Sequence, residues 1–550
     1  SFDGEKNVLS VIRKAGIDMP TFCYYSELSV YGACRMCMVE NSHGGMEAAC
    51  STVPKAGMEI YTNTERLHKH RKMILELLLA NHCRDCTTCQ KNGKCRLQEL
   101  ASLFGLESIR FKNLKPEPEL DTSSLSIIRD AHKCILCGDC VRMCNEIQNV
   151  GAIDFVNRGS KMVIGPAFNE PIANSPCVGC GQCAAVCPTG AIVIRKDTGR
   201  VWPELNDKNT KVVAQVAPAV RVAMAKEFGL PENENSMGRI TAALRRLGFD
   251  EVYDTATGAD LTVLEESNEF LQRIEAGENL PLITSCCPAW IQYCEKNHPE
   301  LMKNVSTCKS PMQMFSSVIK AKYATSSRRV VCVAVMPCTA KKFECAREEF
   351  MHDGVPETDY VITTQELIQM IHKAGIVFDE LEPEAVDSVF STCTGAGVIF
   401  GVTGGVTEAV LRRLSTDKSN KALMSIAFND VRGMKGVKET TIPYGDKEVR
   451  IAIVSGLKNA EKVIQALKNG EHYDFIEVMA CPGGCVAGGG QPFGTNATKE
   501  VRGKALYSAD KMLSIKRSEE NPLMLSLYDG VLKGRVHELL HVHYNHKEEE

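Results

Sequence analysis

Hydrophobic and polar positions divide the chain into blocks with different periods. Residues 1–62 show short strand-like apolar runs broken by glycine. Residues 63–110 open with a 3.6-residue period in RLHKHRKMILELLLA, which predicts an amphipathic helix that Asn63 or Thr64 can cap. Residues 111–128, FKNLKPEPELDTSSLSII, are polar and proline-bearing and read as a linker. Residues 129–200 fall into two matching halves. From 201 to 520, apolar runs such as VVAQVAPAV, PLITS, VVCVAVMP and IAIVSGL alternate with helical patterns at 238–247 and 406–414, which predicts an α/β region. Residues 521–550 predict a helix followed by a charged, mobile tail. The fold class expected is therefore multidomain α+β and α/β, with several small domains ahead of a large α/β domain.

Composition changes this picture in one respect. Net charge is -4 and the pI is about 6.4, which gives no electrostatic case for nucleic acid. No apolar run reaches the roughly 20 residues of a membrane span. The first residues, SFDGEKNVLSVIRKAG, resemble no export leader, and a cytoplasmic location is expected. The chain carries 26 cysteines, however, and they cluster. Tight clusters inside a large chain point to reduced thiolates on metal rather than to disulfides.

The clusters differ in spacing. Cys23, Cys34, Cys37 and Cys50 are separated by ten, two and twelve residues, which suits a 2Fe–2S cluster of plant-ferredoxin type, with zinc as the alternative. Cys86, Cys89 and Cys95 form a three-cysteine set in NHCRDCTTCQKNGKC; its fourth ligand is His82 or, in competition, Cys83. Cys134, Cys137, Cys140 and Cys144 in CILCGDCVRMC, with Cys177, Cys180, Cys183 and Cys187 in CVGCGQCAAVCP, repeat the two-cluster bacterial ferredoxin run. In that run the fourth cysteine crosses over, so Cys187 joins the first three and Cys144 joins the second three. The domains expected are thus 1–62, 63–110 and 129–200, with a linker at 111–128, a catalytic domain at 201–520 and a C-terminal tail.

Three further segments set cysteine beside unusual backbone: TSCCPAW (284–290), MPCTAKKFE (336–344) and EVMACPGGCVAGGGQP (477–492). Generic chemistry reads Cys287, Cys338, Cys481 and Cys485 as one more four-thiolate set. In order and content these segments resemble the three active-site signatures of FeFe-hydrogenases, and with the N-terminal sets the resemblance spans essentially the whole chain. It implies a two-lobed catalytic domain holding the H-cluster between lobes. That cofactor is a 4Fe–4S cubane joined to a diiron site with carbon monoxide, cyanide and a bridging azadithiolate. It also implies that Cys287, Cys338, Cys481 and Cys485 hold the cubane, with Cys485 bridging to the diiron site. Lys341 would bond one cyanide, Ala217 and Pro218 would line the other, and Met336, Met479 and Phe400 would flank the diiron site. Core packing is the competing reading of the methionines. Ala340 stands where serine is common in the second signature, and Ala219 departs from the first pocket run.

Cys286 cannot easily share a cubane with its neighbour Cys287. The resemblance assigns it, with Glu266, Ser306, Glu269 and Arg273, to a proton path. Glu266, Glu269 and Arg273 fall on one helical face, which a solvated surface would also explain. The remaining cysteines, Cys83, Cys294, Cys308, Cys332, Cys345 and Cys393, default to small buried apolar residues, with Cys393 nearest the expected pocket. GVTGG at 401–405 reads as a loop or helix start and lacks the dinucleotide fingerprint. The whole implies reversible oxidation of hydrogen, with electrons passing along one 2Fe–2S and three accessory 4Fe–4S clusters. The partners would be flavin- and NAD(P)-binding iron–sulfur subunits and ferredoxin, in an electron-bifurcating complex. A single-chain ferredoxin-linked hydrogenase, a hydrogen sensor and a non-catalytic electron-transfer subunit are the alternatives.

Overall fold

The computed structural model describes residues 3–113, 119–415, 431–444 and 447–544. Contacts divide the chain into two units. The first holds residues 1–177 and 182–195; the second holds 178–181 and 196–550.

The first unit is built from small pieces. Met38–Asn41 pairs antiparallel with Met46–Ala48 and Ile60–Tyr61, and helix Val8–Lys14 packs its Val8, Leu9 and Ile12 into the same core. Helix Glu65–Ala80 begins where the sequence predicts, with Thr64 Oγ1 accepting from Leu67 N at 3.3 Å, a cap worth about 1 kcal/mol. Its buried Arg71 donates to the carbonyls of Met36 and Met38, so the helix is stapled to the sheet before it. Ile127–Arg129 pairs with Ile192–Ile194, enclosing the two ferredoxin-like runs. Here the sequence expectation needs correcting. The segment 111–128 is not a free linker to its end: Asp121 bridges to Arg129 through backbone and side chain, and its carboxylate caps Ile172 N. The polar residues there make turns and an ion pair, which composition alone cannot distinguish from a solvated linker.

The second unit carries two four-stranded sheets. One orders Tyr360–Thr363, Arg329–Met336, Thr210–Val216 and Glu251–Asp254, all parallel. The other orders Leu282–Ile283, Phe475–Met479, Lys447–Ser455 and Val437–Tyr444, the last pair antiparallel. Strands covered on both faces need continuous apolar runs, as in RVVCVAVM, whose last six residues are all buried. Each signature leaves the carboxyl end of a parallel strand: Ala217 after Val216, Cys286 after Ile283, Cys338 after Met336 and Cys481 after Met479. Ligand sites in open α/β sheets gather at such ends. The predicted helices appear as Met237–Arg246 and Gly405–Leu414.

The tail is also more ordered than expected. Helices Pro522–Asp529 and Val536–Leu540 are followed by residues that pair with the segment after Val305: Lys309 N donates to Leu540 O at 2.8 Å and Val542 N to Thr307 O at 2.7 Å. The apolar alternation in HELLHVHY buries Leu539, Leu540 and Val542, which overrides its charged appearance. The expected mobile end at 545–550 lies outside the described residues.

Candidate functional site

Four strand ends and two helix starts converge on one cavity of about 90 Å³. Its wall includes Cys286, Cys287, Cys338, Cys481 and Cys485, together with Ala217, Pro218, Met336, Lys341, Phe400 and Met479. Every residue expected to hold or flank a metal centre in the catalytic half is therefore on one surface. The wall is overwhelmingly apolar apart from the sulfurs and Lys341. Thr255, Pro311, Met312 and Gly401 also line it, and no local motif announced them.

The backbone explains the closeness. Gly484 adopts φ +90°, and a Cβ there would stand 2.6 Å from Thr403 N, so only glycine fits the turn between Cys481 and Cys485. Cys287 caps helix Pro288–Asn297, and its sulfur accepts from Ala480 N at 3.4 Å. Cys286 turns the other way, against Ala259, Val263, Phe400 and Met479. Burial raises the thiols of Cys286, Cys287, Cys338 and Cys485, and repulsion from neighbouring sulfurs adds to it at Cys286, Cys338 (to about 11) and Cys485 (to about 12). A cationic iron cluster would relieve both effects by taking them as thiolates, so the donor set fits one. Lys341 Nζ lies in the wall, bonded to Glu344 Oε2 at 2.8 Å and Cys286 O at 3.3 Å; neighbouring anionic groups hold its pKa up. Ala219 lines the cavity, while Ala340 is fully buried and does not. Cys393 is not in the wall. Its Sγ sits 3.7 Å from Asp254 Oδ2, which pairs with Arg221.

A line of titratable groups leads away from Cys286. Helix Ala256–Ala276 carries Glu265, Glu266, Glu269 and Arg273. Glu266 is fully buried, and its oxygens find no hydrogen-bond partner of normal geometry among the described residues. Burial, then the charge of Glu269, push it up to about 8, so it holds a proton at neutral pH. Ser306 Oγ donates to Glu269 Oε2 at 2.9 Å, and Arg273 Nη2 to Glu269 Oε1 at 2.6 Å. The helical face is thus buried at its first half, unlike a solvated stripe.

The first unit presents the other cysteine sets. Cys23, Cys37 and Cys50 are buried and Cys34 half-buried. Hydrogen bonds from Cys23 and Cys50 hold Cys34 down to about 6 and Cys37 to about 7. Cys134, Cys137, Cys140 and Cys187 line one small pocket, so the fourth cysteine of the second run does cross to the first. Cys144 acts electrostatically with Cys177 and Cys183. Cys180 lies on the short segment 178–181 of the second unit. Cys95 shares its surroundings with Cys86 and Cys89. His82 is buried, its Nδ1 accepts from Arg84 N at 3.0 Å, and its Nε2 has no partner among the described residues. Desolvation keeps the ring neutral, and with Nδ1 accepting, its proton sits on Nε2, so Nε2 would ligate metal only once the Arg84 bond is given up and the tautomer changes.

Comparison with known proteins gives a consistent picture. Residues 210–489 match the family described as iron only hydrogenase large subunit, C-terminal domain, and 496–547 match iron hydrogenase small subunit. Residues 2–65 match a 2Fe-2S iron-sulfur cluster binding domain. Residues 71–110 match the NADH-ubiquinone oxidoreductase-G iron-sulfur binding region, and 133–195 match a 4Fe-4S dicluster domain. The chain is 41% identical to the NADP-reducing hydrogenase subunit HndD of Solidesulfovibrio fructosivorans, over 98% of this chain and 96% of that one. It is 36% identical to iron hydrogenase 1 of Clostridium pasteurianum, over 98% of this chain and 97% of that one. A solved FeFe-hydrogenase of Chlamydomonas reinhardtii aligns with a TM-score of 0.55 at 37% identity, covering 64% of this chain and 98% of that one.

Proposed function

This chain belongs to the FeFe-hydrogenase family as a catalytic subunit, and from that premise we propose that it is the hydrogen-handling member of an NAD(P)-linked assembly. The observation that carries the reaction is the single cavity walled by Cys286, Cys287, Cys338, Cys481, Cys485 and Lys341. Cys287, Cys338, Cys481 and Cys485 would hold the H-cluster, which when bound supplies the splitting of hydrogen into protons and electrons. Lys341, Pro218 and Ala217 would receive its polar diatomic ligands, and Met336, Met479 and Phe400 would keep water from it. Cys286 would take the proton at its sulfur and hand it to Glu266, which passes it by Ser306 to Glu269.

Electrons would leave along the cysteine sets. Thr339 Oγ1, next to Cys338, donates to Gly179 O at 2.7 Å, and a Cβ on Gly489 would stand 2.4 Å from Cys180 O. No side chain fits between the backbone of Cys180 and that of the third signature, which supports a short electron step there. In the first unit, Cys23, Cys34, Cys95 and Cys137 pack into one apolar cluster, which supports three sets exchanging electrons at a common point. We assign Cys23, Cys34, Cys37 and Cys50 to a 2Fe–2S cluster and three accessory 4Fe–4S clusters to the remaining sets. For the third of these, His82→Ala should perturb one 4Fe–4S resonance and slow electron exchange with a partner, while the infrared bands of the active site stay. Unchanged accessory resonances would move the ligand role to Cys83.

Partners and place follow from three supports. A relative matched nearly end to end bears the name of an NADP-reducing hydrogenase subunit, residues 71–110 match a respiratory-complex region, and the sequence holds no dinucleotide fingerprint. We propose flavin- and NAD(P)-binding partner subunits, with ferredoxin as a second electron partner in a bifurcating scheme, in the cytoplasm. No helix among the described residues is long and apolar enough to cross a membrane. The pure chain should then turn over hydrogen with viologen dyes and fail with NAD or NADP alone. Direct NAD(P) reduction by the pure chain would remove the need for partners. Efficient ferredoxin turnover, with no co-purifying subunit from the native source, would favour the single-chain reading. Retention of Cys286 speaks against a sensor.

A further inference from the structure

The proton path described above ends in a problem. Arg273 stands after Glu269, yet a guanidinium stays charged above pH 12 and has no acceptor atom. Its donors are also committed. Besides Glu269, they hold the carbonyls of Asn279 at 3.0 Å, Asn304 at 2.9 Å and Val305 at 3.0 Å. Arg273 therefore fixes Glu269 and the strand beside it, and a proton arriving at Glu269 needs another way out.

A second line of hydrogen bonds starts at the same carboxylate. Thr307 Oγ1 lies 3.2 Å from Glu269 Oε2 and 2.8 Å from His541 Nδ1. His541 Nε2 lies 3.0 Å from Glu265 Oε2, and Tyr528 donates to the other Glu265 oxygen. The imidazole also lies 4.8 Å from the ring of His537, tilted at 43°, and His537 is exposed. The groups that face His541 are Glu265 and Glu269 from the long helix, Thr307 and Cys308 from the paired segment, and His537 from its own helix. Tyr528 and Arg413 face Glu265 from behind. The ligand-type atoms of Glu269, Cys308 and His541 all lie within 4.8 Å of one another.

Resting on the reading of Cys286, Glu266, Ser306 and Glu269 as the proton path, we infer that the path leaves through Thr307 and His541, which lies between the buried Glu265 and the exposed His537. The bookkeeping of protons closes. Protonated Glu269 gives its proton to the Thr307 oxygen as the Thr307 hydroxyl proton passes to His541 Nδ1. The proton on His541 Nε2 then passes to Glu265. The imidazole ends as the other neutral tautomer, and ring reorientation or uptake from the next proton resets it. Thr307 and His541 finish with one proton received for one released, Glu269 ends ionised until the inner path resupplies it, Glu265 ends protonated until it passes its proton on to solvent, and no oxidant or reductant is needed. Run backwards, the same line feeds protons inward for hydrogen production. The two hydrogen-bond orientations of Thr307 correspond to His541 with Nδ1 bare and with Nδ1 protonated, so the hydroxyl rotates with the traffic.

The test uses the matured full-length protein and viologen turnover in both directions across about pH 6 to 9. Thr307→Val keeps the backbone N–H that also binds Glu269 and removes only the hydroxyl, and His541→Ala removes the imidazole. Each should lower turnover about 10-fold or more, with a changed pH profile and unaltered active-site infrared bands. Added imidazole should restore His541→Ala and leave Thr307→Val slow, a pattern that a packing defect would not give. Turnover within about twofold of the parent and the parent pH profile in both variants would overturn the exit. Glu269→Gln tells the two ideas apart. If it is slow while Thr307→Val and His541→Ala run normally, the exit is wrong and the inner path stands. If Glu269→Gln is also normal, both fall.

Discussion

Cys286→Ala should keep its iron and its cyanide and carbonyl infrared bands while turnover falls by at least the ~10²-fold typical of losing a positioned proton-transfer group. The expectation rests on where the two adjacent cysteines point. Cys287 sits at a helix N-cap with its sulfur held by Ala480 N, on the side of Cys338 and Cys485. Cys286 packs against the apolar group that holds Phe400 and Met479 and, unlike Cys287, feels the charge of Glu266 as well as that of the neighbouring sulfurs. Burial raises its pKa well above that of an ordinary thiol, so it carries its proton and can accept another only as it gives one up. Alanine removes that sulfur without disturbing the four others. Cys287→Ala should do the opposite, disturbing the cubane and with it the bands. Loss of the cubane in Cys286→Ala, or near-normal turnover in both directions, would show that the sulfur holds iron or is idle.

Glu266→Gln is the second large effect. The amide matches the carboxyl in shape but neither yields nor takes a proton, so turnover should again drop about 10²-fold or more with the bands retained. A second signature is in stability. Burial lifts the folded carboxyl from 4.5 to about 8, while the unfolded one keeps its ordinary value. Between these two values the folded state holds a proton that the unfolded state has lost, so stability falls as pH rises through the window. Each unit of difference is worth about 1.4 kcal/mol, which makes the whole effect a few kcal/mol. Glutamine removes it, so the variant should lose less stability than the parent between pH 5 and 8, measured by denaturant midpoints at fixed pH. Parallel stability profiles would mean that Glu266 is ionised in the fold.

What could be read from the sequence divides along the length of the interactions involved. The ferredoxin-like runs are local, and their spacing alone placed Cys187 with Cys134, Cys137 and Cys140. The cap at Thr64 and the helices near 238–247 and 406–414 are local too. The cavity was legible only through resemblance, because Cys287, Cys338 and Cys481 come from three distant strand ends. Cys393 looked near the pocket in sequence but is drawn off to Asp254. The predicted helix of the tail is present, but the pairing of residues 540–542 was not legible because its partners are remote: His541 meets Thr307 at a separation of 234 residues and Glu265 at 276. The polar stretch before Ile127 was misread for the same reason, since Asp121 reaches across 51 residues to Ile172.

The clamp between residues 307–309 and 540–542 also has a meaning for how the enzyme is made. Closing a loop of more than 200 residues is an entropically late event, so the contacts of His541 with Thr307 and Glu265 are expected to form after the local turns around the cysteines. In a folding chain the cavity wall would then be complete while the outer end of the proposed path is still open.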